Sequence, residues 1–448
     1  MSAGAQPLNI VGAGLSGALL ALLLTRRGLA VTLHERRADP RQSRPERGRS
    51  INLALAARGL QALEQAGVLE AVQPLLIPMR GRMVHELDGA SALQPYGQRA
   101  HEVIYSVSRA ELNRVLIETA AAHADVRVHF NRVCLGAELA QDRLRVRDAA
   151  RGGELTLPLT PTIATDGAGS AVRASLAAAA ALQVREEWLD HDYKELTIPA
   201  RPGGGHALER HALHIWPRGG FMLIALPNTD GSFTATLFLP RTGAVSFAAL
   251  AAPEAVEGFF RSQFPDAHAL MPQLLAEFAQ HPQGQLGTVH TLPWHVGGQV
   301  LLLGDAAHAI VPFHGQGMNA AFEDCTHLAG LLSPRPQWAS LFARCEAERR
   351  PHTEAIAQMA LENYTEMRDS VRDATFVRRK ALAMTLERHF PERFIPRYAM
   401  VMFHPEIPYA EALRRGAIQE RILAELDAGT AAAPDLARAA ELIRARLG

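Results

Sequence analysis

The stretch "LNIVGAGLSGALLALLLTRRGLAVTLHER", residues 8–36, decides the fold. Its first four residues form an apolar run that predicts a buried strand. Gly12-Ala-Gly14-Leu-Ser16-Gly17 follows and opens a segment of Leu and Ala, which are good helix formers. "AVTLHE" then predicts a second strand that ends on Glu35. This is a G-x-G-x-x-G turn in a strand–helix–strand context. In that reading Gly12 makes the tight turn, Gly14 lets the backbone approach a pyrophosphate, and Gly17 lets helix and strand pack closely. Glu35, 23 residues after Gly12, is placed to accept bonds from an adenosine ribose. The alternative is a glycine-rich turn in an α/β sheet that binds nothing.

The fingerprint does not separate FAD from NAD, but the rest of the chain bears on the choice. A domain built for NAD alone closes within about 150 residues of regular alternation. Here "RRADPRQSRPERGR" (36–49) interrupts the alternation with six arginines, read either as a solvated loop or as contacts to cofactor phosphates. Far downstream, "VLLLGDAAHAIVPFHGQGMNAAFED" (300–324) predicts a strand ending on Gly304-Asp305 and a helix beginning near Gly317. A helix start offers unpaired N–H groups and partial positive charge, which suits an anionic or electron-rich group. Between them, "TPTIATDGAGSAVR" (160–173) predicts a strand, then Asp166-Gly167, then another helix start.

Composition sets bounds on function. With 448 residues the chain holds two or three domains. Lys+Arg and Asp+Glu are both 46, so no general attraction to nucleic acid is implied. The three cysteines, Cys134, Cys325 and Cys345, fit neither a disulfide framework nor a metal site, and a cytoplasmic location is expected. No 18-residue apolar window occurs, so no membrane anchor is expected. The apolar start lacks a basic leader and is broken by glycines. The tail from Asp427 to Gly448, Ala-rich with charges throughout, is expected to be an exposed helix.

The three motifs in this order resemble those of the flavin-dependent aromatic hydroxylases. Longer strings narrow the resemblance. "RGRSINLALAARG" (47–59), "IPMRGRMVHE" (77–86), "DYKELTIP" (192–199), "HIWPRGGFMLIALPNTDGSFTATLF" (214–238) and "ENYTEMRD" (362–369) are similar to the kynurenine 3-monooxygenase branch of that family. The likeness runs from about residue 7 to about 410. It implies tightly bound, non-covalent FAD, NADPH and O₂ as co-substrates, and L-kynurenine hydroxylated to 3-hydroxy-L-kynurenine through a flavin C4a-hydroperoxide. The preference for NADPH rests on the resemblance alone. Self-association into a homodimer is left open. A related flavin reductase or oxidase acting on a quinone or lipid, and a silent FAD-binding scaffold, are the competing readings.

The resemblance also assigns residues. Gly12, Gly14, Ser16, Gly17, Glu35, Ala54, Arg109, Val133, Asp166, Asp305, Met318 and Asn319 line the cofactor. Asp305 holds the ribityl chain, and the helix starting at Gly317 faces the pyrimidine edge. His314 and Gln316 lie near the reactive edge. His314 stands where the animal enzymes carry Phe, to hydrogen-bond an oxygen adduct or to fill space. Substrate-binding residues are Arg82, Tyr96, Met222, Ile224, Leu226, Phe238, Asn363, Glu366, Met367 and Tyr398. Alternation puts Met222, Ile224 and Leu226 on one strand face. Helical spacing puts Asn363, Glu366 and Met367 on one face. A carboxylate calls for a planar, always-charged partner, Arg82, with Arg80 as internal competitor. No general base is assigned, because the amine-bearing ring is already electron-rich.

The expected fold is α/β: a doubly wound, Rossmann-like FAD-binding domain with an inserted β-sheet substrate domain and a helical C-terminal region. The expected segments are 1–76, 100–181 and 289–345 for the FAD domain, 77–99 and 182–288 for the substrate domain, and 346–448 for the helical region.

Overall fold

The structure, a computed structural model, describes residues 7–42, 52–159, 161–370, 374–427 and 435–447. Packing divides the chain into two units. The first comprises Met1–Leu76, Val107–Leu189 and Gln285–Thr353. The second comprises Ile77–Ser106, Asp190–Gly284 and Glu354–Gly448, so the C-terminal helices belong to it.

In the first unit the apolar runs become strands buried on both faces, as a parallel sheet under helices requires. Leu8–Val11, Val31–His34, Thr162–Ala164 and Val300–Leu302 are central. The six-stranded order is His295–Val296, Val300–Leu302, Thr162–Ala164, Leu8–Val11, Val31–His34, Val126–His129. All pairs are parallel except the first. The helix Leu15–Thr25 buries ten of its eleven residues, which explains why it is apolar all round rather than amphipathic. A small antiparallel sheet of Arg132–Glu138, Arg143–Asp148 and Glu154–Pro158 also belongs to this unit.

A seven-stranded mixed sheet runs in the order Gln283–Leu292, Gln183–Ile198, Phe233–Pro240, Met222–Pro227, Leu213–Pro217, Gly81–His85, Ser91–Pro95. Its last five strands lie within the second unit. Leu213–Pro217 and Gly81–His85 pair parallel, and their neighbours pair antiparallel. One face of this sheet is the core side. Trp216, Leu223, Ala225, Ala235 and Leu237 pack there with Val256 and Phe260 of the helix Pro253–Gln263 and with Leu274. The period of two therefore sends the alternate residues to the opposite face.

The tail corrects one expectation. Leu436–Leu447 is a helix, but not an exposed one: Ala439, Leu442 and Ile443 are buried with Leu386, Phe394 and Ile422. These three residues sit at i, i+3 and i+4, an apolar stripe that overall composition hid. Burial of Leu442 and Ile443 contributes about 1.5–3 kcal/mol each.

Candidate functional site

Parallel register in the first unit brings the sequence-selected loops to one edge. Gly12–Gly17 leaves Leu8–Val11, Asp166-Gly167 leaves Thr162–Ala164, and Gly304-Asp305 leaves Val300–Leu302. Glu35 ends Val31–His34. These strands are consecutive in the sheet, so all four loops stand at its carboxyl edge, where open α/β sheets bind ligands.

The glycines there differ in kind. Gly12 has φ +92°, and a Cβ on it would lie 2.7 Å from the Thr165 carbonyl oxygen. A Cβ on Gly17 would overlap the Gly12 carbonyl. Both are required by the protein's own packing. A Cβ on Gly14 would meet nothing within 4 Å. The protein's own packing does not require that glycine.

Other groups at this edge are polar and held firmly. Glu35 is buried; its Oε2 accepts from the Ala13 N–H at 2.8 Å and its Oε1 from Arg37 Nε at 2.8 Å. Burial alone would push its carboxyl up, but the bonds from Arg37 and Ala13 outweigh it and hold it below the usual range. Asp166 Oδ2 accepts from the Ala171 N–H at 2.9 Å, while Oδ1 is shielded from water with no hydrogen-bond partner. Burial pushes that carboxyl up. Asp305 is half-buried and opens the short helix Asp305–His308 after Gly304, whose φ is +58°. A Cβ on Gly304 would lie 3.3 Å from Ser16 Oγ, so the first and last motifs meet.

The helix of the last motif starts at Gly317. His314 and Gln316, on either side of Gly315 with φ +67°, are buried, and Met318 is half-buried. Asn319, expected to line the cofactor, has a buried side chain that also ties the chain together. Nδ2 donates to the Ala54 and Gly315 carbonyls at 2.9 Å each, and Oδ1 accepts from the Ala56 N–H at 3.0 Å. Arg109 is exposed at the first position of the helix Arg109–Ala121, and Val133 is half-buried in Arg132–Glu138. Of the six loop arginines, Arg37 bonds Glu35 and Arg41 pairs with Asp39 at 2.6 Å. Arg44, Arg47 and Arg49 lie outside the described residues.

These residues fit FAD. An open cradle at Gly14, free N–H groups of a helix start and an unsatisfied buried acceptor at Asp166 suit a ligand that carries both anionic oxygens and hydroxyl donors.

Sequence reading missed an ionic network beneath the last motif. Asp324 is fully buried, with His308 Nε2 at 2.6 Å and Arg349 Nε at 2.7 Å. Arg349 also pairs with Glu323 at 3.0 Å, and Glu323 with Arg58 at 2.5 Å. Burial alone would raise the Asp324 carboxyl, but His308 and Arg349 bring it down to about 2. Two adjacent acids, Glu323 and Asp324, in a largely apolar helix were the available hint; nothing local pointed to Arg349.

In the second unit the register gathers the substrate candidates on the sheet face opposite the one covered by the helix Pro253–Gln263. Met222 lies opposite Phe238, Ile215 opposite Ile224, Leu213 opposite Arg82, and Arg82 opposite Gln94. Cross-strand partners share a face. Leu226 follows on the same face by alternation. Met222, Leu226 and Phe238 are buried and Ile224 is half-buried.

Arg82 is 5% exposed, whereas its competitor Arg80 is exposed. Its Nη1 donates to Glu366 Oε1 at 3.1 Å and its Nη2 to Asn363 Oδ1 at 3.4 Å. The guanidinium lies over the rings of Tyr398 (5.3 Å) and Tyr96 (5.9 Å), which stack on each other with centroids 5.3 Å apart. Burial pushes both phenols up. Burial also opposes the charge on Arg82, but Tyr398, Glu366 and Tyr96 outweigh it and hold its proton more firmly.

The segment carrying Asn363 and Glu366 differs from the expected continuous α-helix. The helix Trp338–Thr365 gives way to a π-helix over Glu366–Ser370. Such a widened turn often accompanies a functional site. Asn363 and Met367 are buried, and Asn363 Nδ2 donates to Met367 Sδ at 3.3 Å. Among the described residues no helix is long and apolar enough to cross a membrane.

Comparison with known proteins follows this geometry. Residues 5–360 match the family model described as an FAD binding domain. A protein of Myxococcus xanthus (strain DK1622) named kynurenine 3-monooxygenase is 49% identical over 442 residues, covering 98% of this chain and 95% of that protein. One of the same name from Xanthomonas axonopodis pv. citri (strain 306) is 50% identical over 424 residues, covering 95% and 93%. Among solved structures, the tetrameric form of 2-methyl-3-hydroxypyridine-5-carboxylic acid oxygenase aligns with TM-score 0.64 at 18% identity, over 90% of this chain and 98% of that one.

Proposed function

Because the chain belongs to the kynurenine 3-monooxygenase family of FAD-binding hydroxylases, we propose that it converts L-kynurenine to 3-hydroxy-L-kynurenine with NADPH and O₂. The observation that carries this reading is the pair Arg82 and Glu366, 3.1 Å apart on the apolar sheet face that holds Met222 and Phe238. One fixed charge of each sign beside apolar surface complements an amino-acid zwitterion with an aromatic body.

In this reading Arg82, Tyr96, Asn363 and Tyr398 hold the substrate carboxylate, and Glu366 takes the α-ammonium. Met222, Ile224, Leu226, Phe238 and Met367 enclose the ring and exclude water. Bound FAD supplies the two-electron reduction by NADPH and the activation of O₂. Gly12, Gly14 and Gly17 with Ser16 shape the turn that receives the pyrophosphate, Glu35 takes the adenosine ribose, and Asp305 the ribityl chain. Asp166, Ala54, Arg109, Val133, Met318 and Asn319 complete that binding surface. The N–H groups at the start of the helix at Gly317 would stabilise negative charge on a reduced ring. His314 and Gln316 border that edge. One oxygen atom enters the ring beside the aromatic amine, and the other leaves as water. The amine already activates that carbon, so no side chain is assigned as general base. The three free thiols fit a reducing cytoplasm.

The purified protein should release FAD on acid denaturation. Its NADPH oxidation should rise on adding L-kynurenine, with a product heavier by one oxygen atom. NADPH oxidation indifferent to L-kynurenine would instead support a flavin reductase, and none at all a silent scaffold.

A further inference from the structure

Lys380 was not selected by any motif, yet it stands at the same charged cluster. It lies on the helix Ala374–His389, and its Nζ donates to Gln94 Oε1 at 3.3 Å. Gln94 is the direct cross-strand partner of Arg82, so both side chains rise from the same sheet face. The helix is fixed in that place by further bonds one and two turns on. Gln98 Nε2 donates to the Met384 carbonyl at 2.8 Å and to Glu387 Oε2 at 2.7 Å, and Arg388 Nε donates to Gln98 Oε1 at 2.5 Å. Lys380, Met384, Glu387 and Arg388 follow i, i+4, i+7 and i+8 spacing, one helical face laid along that edge of the sheet.

The charges at this cluster do not cancel. Arg82 and Glu366 form a pair that is neutral by itself, so an incoming carboxylate gains little net attraction from it. Lys380 interacts with both, repelled by Arg82 and attracted by Glu366. Among the described residues, Arg82 on the strand and Glu366 on the π-turn are the charged groups that act on Lys380, and the phenols of Tyr96 and Tyr398 act in turn on Arg82. Two cations and one carboxylate leave one positive charge in excess, and burial makes that excess costly unless an anion arrives.

We infer that Lys380 is a positioning and specificity residue that keeps the cluster one charge positive, so that a ligand's carboxylate is drawn to Arg82 in spite of Glu366. The inference rests on the proposed amino-acid substrate. It also implies a pH signature. Burial first, and Arg82 second, bring the Lys380 ammonium down to about 8, so its charge is present below that pH and is lost as pH rises through it. Affinity for a carboxylate should fall over the same interval.

Three ligands separate the possibilities by calorimetry on the flavin-loaded enzyme. They are L-kynurenine, its desamino acid 4-(2-aminophenyl)-4-oxobutanoate, and kynuramine, which lacks the carboxylate. Lys380→Met should weaken the anionic desamino acid by about tenfold, the order expected of one partly desolvated charge, weaken zwitterionic L-kynurenine by less because its ammonium offsets part of the loss, and leave the cation kynuramine as tightly bound as before or more so. With the desamino acid, whose own carboxylate stays ionised, wild-type affinity should drop as pH rises through about 8. Lys380→Arg should keep the affinity and remove that drop, because guanidinium does not titrate there. Normal flavin content and melting temperature in both variants show that folding is intact. Equal binding of the carboxylate ligands by wild type and Lys380→Met, or an equal loss for kynuramine, overturns the inference while wild-type binding of L-kynurenine leaves the proposed function standing. Failure of the wild type to bind L-kynurenine overturns both.

Discussion

The glycine turn at Gly12–Gly17 and the cluster around Arg82 are candidate binding sites built by opposite means. The first is written in six consecutive residues and works through the backbone. The glycines at 12 and 17 are fixed by contacts the chain makes with itself, and the one at 14 is left open. The second draws Arg82, Tyr96, Asn363, Glu366, Lys380 and Tyr398 from segments up to more than three hundred residues apart, and works through side chains. A backbone site is lost by adding atoms. A side-chain site is lost by removing them. The two should therefore fail differently when perturbed.

The largest effect is expected at Gly17. Gly17→Val places atoms on the Gly12 carbonyl, which is main chain and cannot swing aside. The loss of stability should exceed about 4 kcal/mol, the exceptional range for one substitution. Urea unfolding and flavin absorbance of the purified protein would check it. A well-folded, yellow variant would remove the backbone half of the contrast.

Asp324→Asn comes next, because it takes the fully buried anion from His308 and leaves Arg349 with Glu323 alone of its two carboxylate partners. A buried pair broken on one side costs about 3–5 kcal/mol. Since His308 and Arg349 bring Asp324 to about 2, below its ordinary range, its contribution is present above about pH 4 and is lost as pH falls toward 2. Urea midpoints from pH 6 to acid should fall over that interval in the wild type and less steeply in the variant. Parallel curves would assign the acid sensitivity to other carboxylates.

Arg82→Ala should weaken L-kynurenine binding by about 2–5 kcal/mol while FAD content stays normal, since one member of a desolvated charge pair is lost. Arg80→Ala, at an exposed position, serves as the control and should bind as wild type does. If the two exchange behaviour, the carboxylate belongs to the exposed arginine and the side-chain half of the contrast is wrong.

The smallest structural effect is expected from Gly14→Ala. A Cβ there meets nothing within 4 Å and φ is −67°, so stability should change by less than about 1 kcal/mol and can even rise. Flavin affinity should nevertheless fall, measured by titrating FAD into the stripped protein. An unchanged affinity would mean that no ligand approaches the backbone at that residue.

How much was legible follows the same division. The strand–turn–helix around Gly12, the start at Gly317 and the period-two face of Met222, Ile224 and Leu226 were all readable, because each depends on neighbours a few residues apart. Arg82 could be chosen over Arg80 only by resemblance until the fold showed which one is buried. Lys380 and Asn319's side-chain staple left no sequence signal, and the Asp324 network left only its two adjacent acids, since the partners are remote. The docked tail was misread for a different reason: its apolar stripe was there, but averaged away by the surrounding alanines and charges.

By itself the sequence determined the local geometry of this protein: which runs are strands, where the backbone must turn through positive φ, and which residues alternate onto one face. Sterics and hydrogen bonding within a few residues fix those, and they travel with the chain. Tertiary structure alone decided which charges would share a desolvated volume. Whether Arg82 meets Glu366, and whether Lys380 joins them, depends on strand register and helix placement. Coulomb energy in a partly dry cluster depends on distance and solvent exposure, and neither is a property of sequence separation.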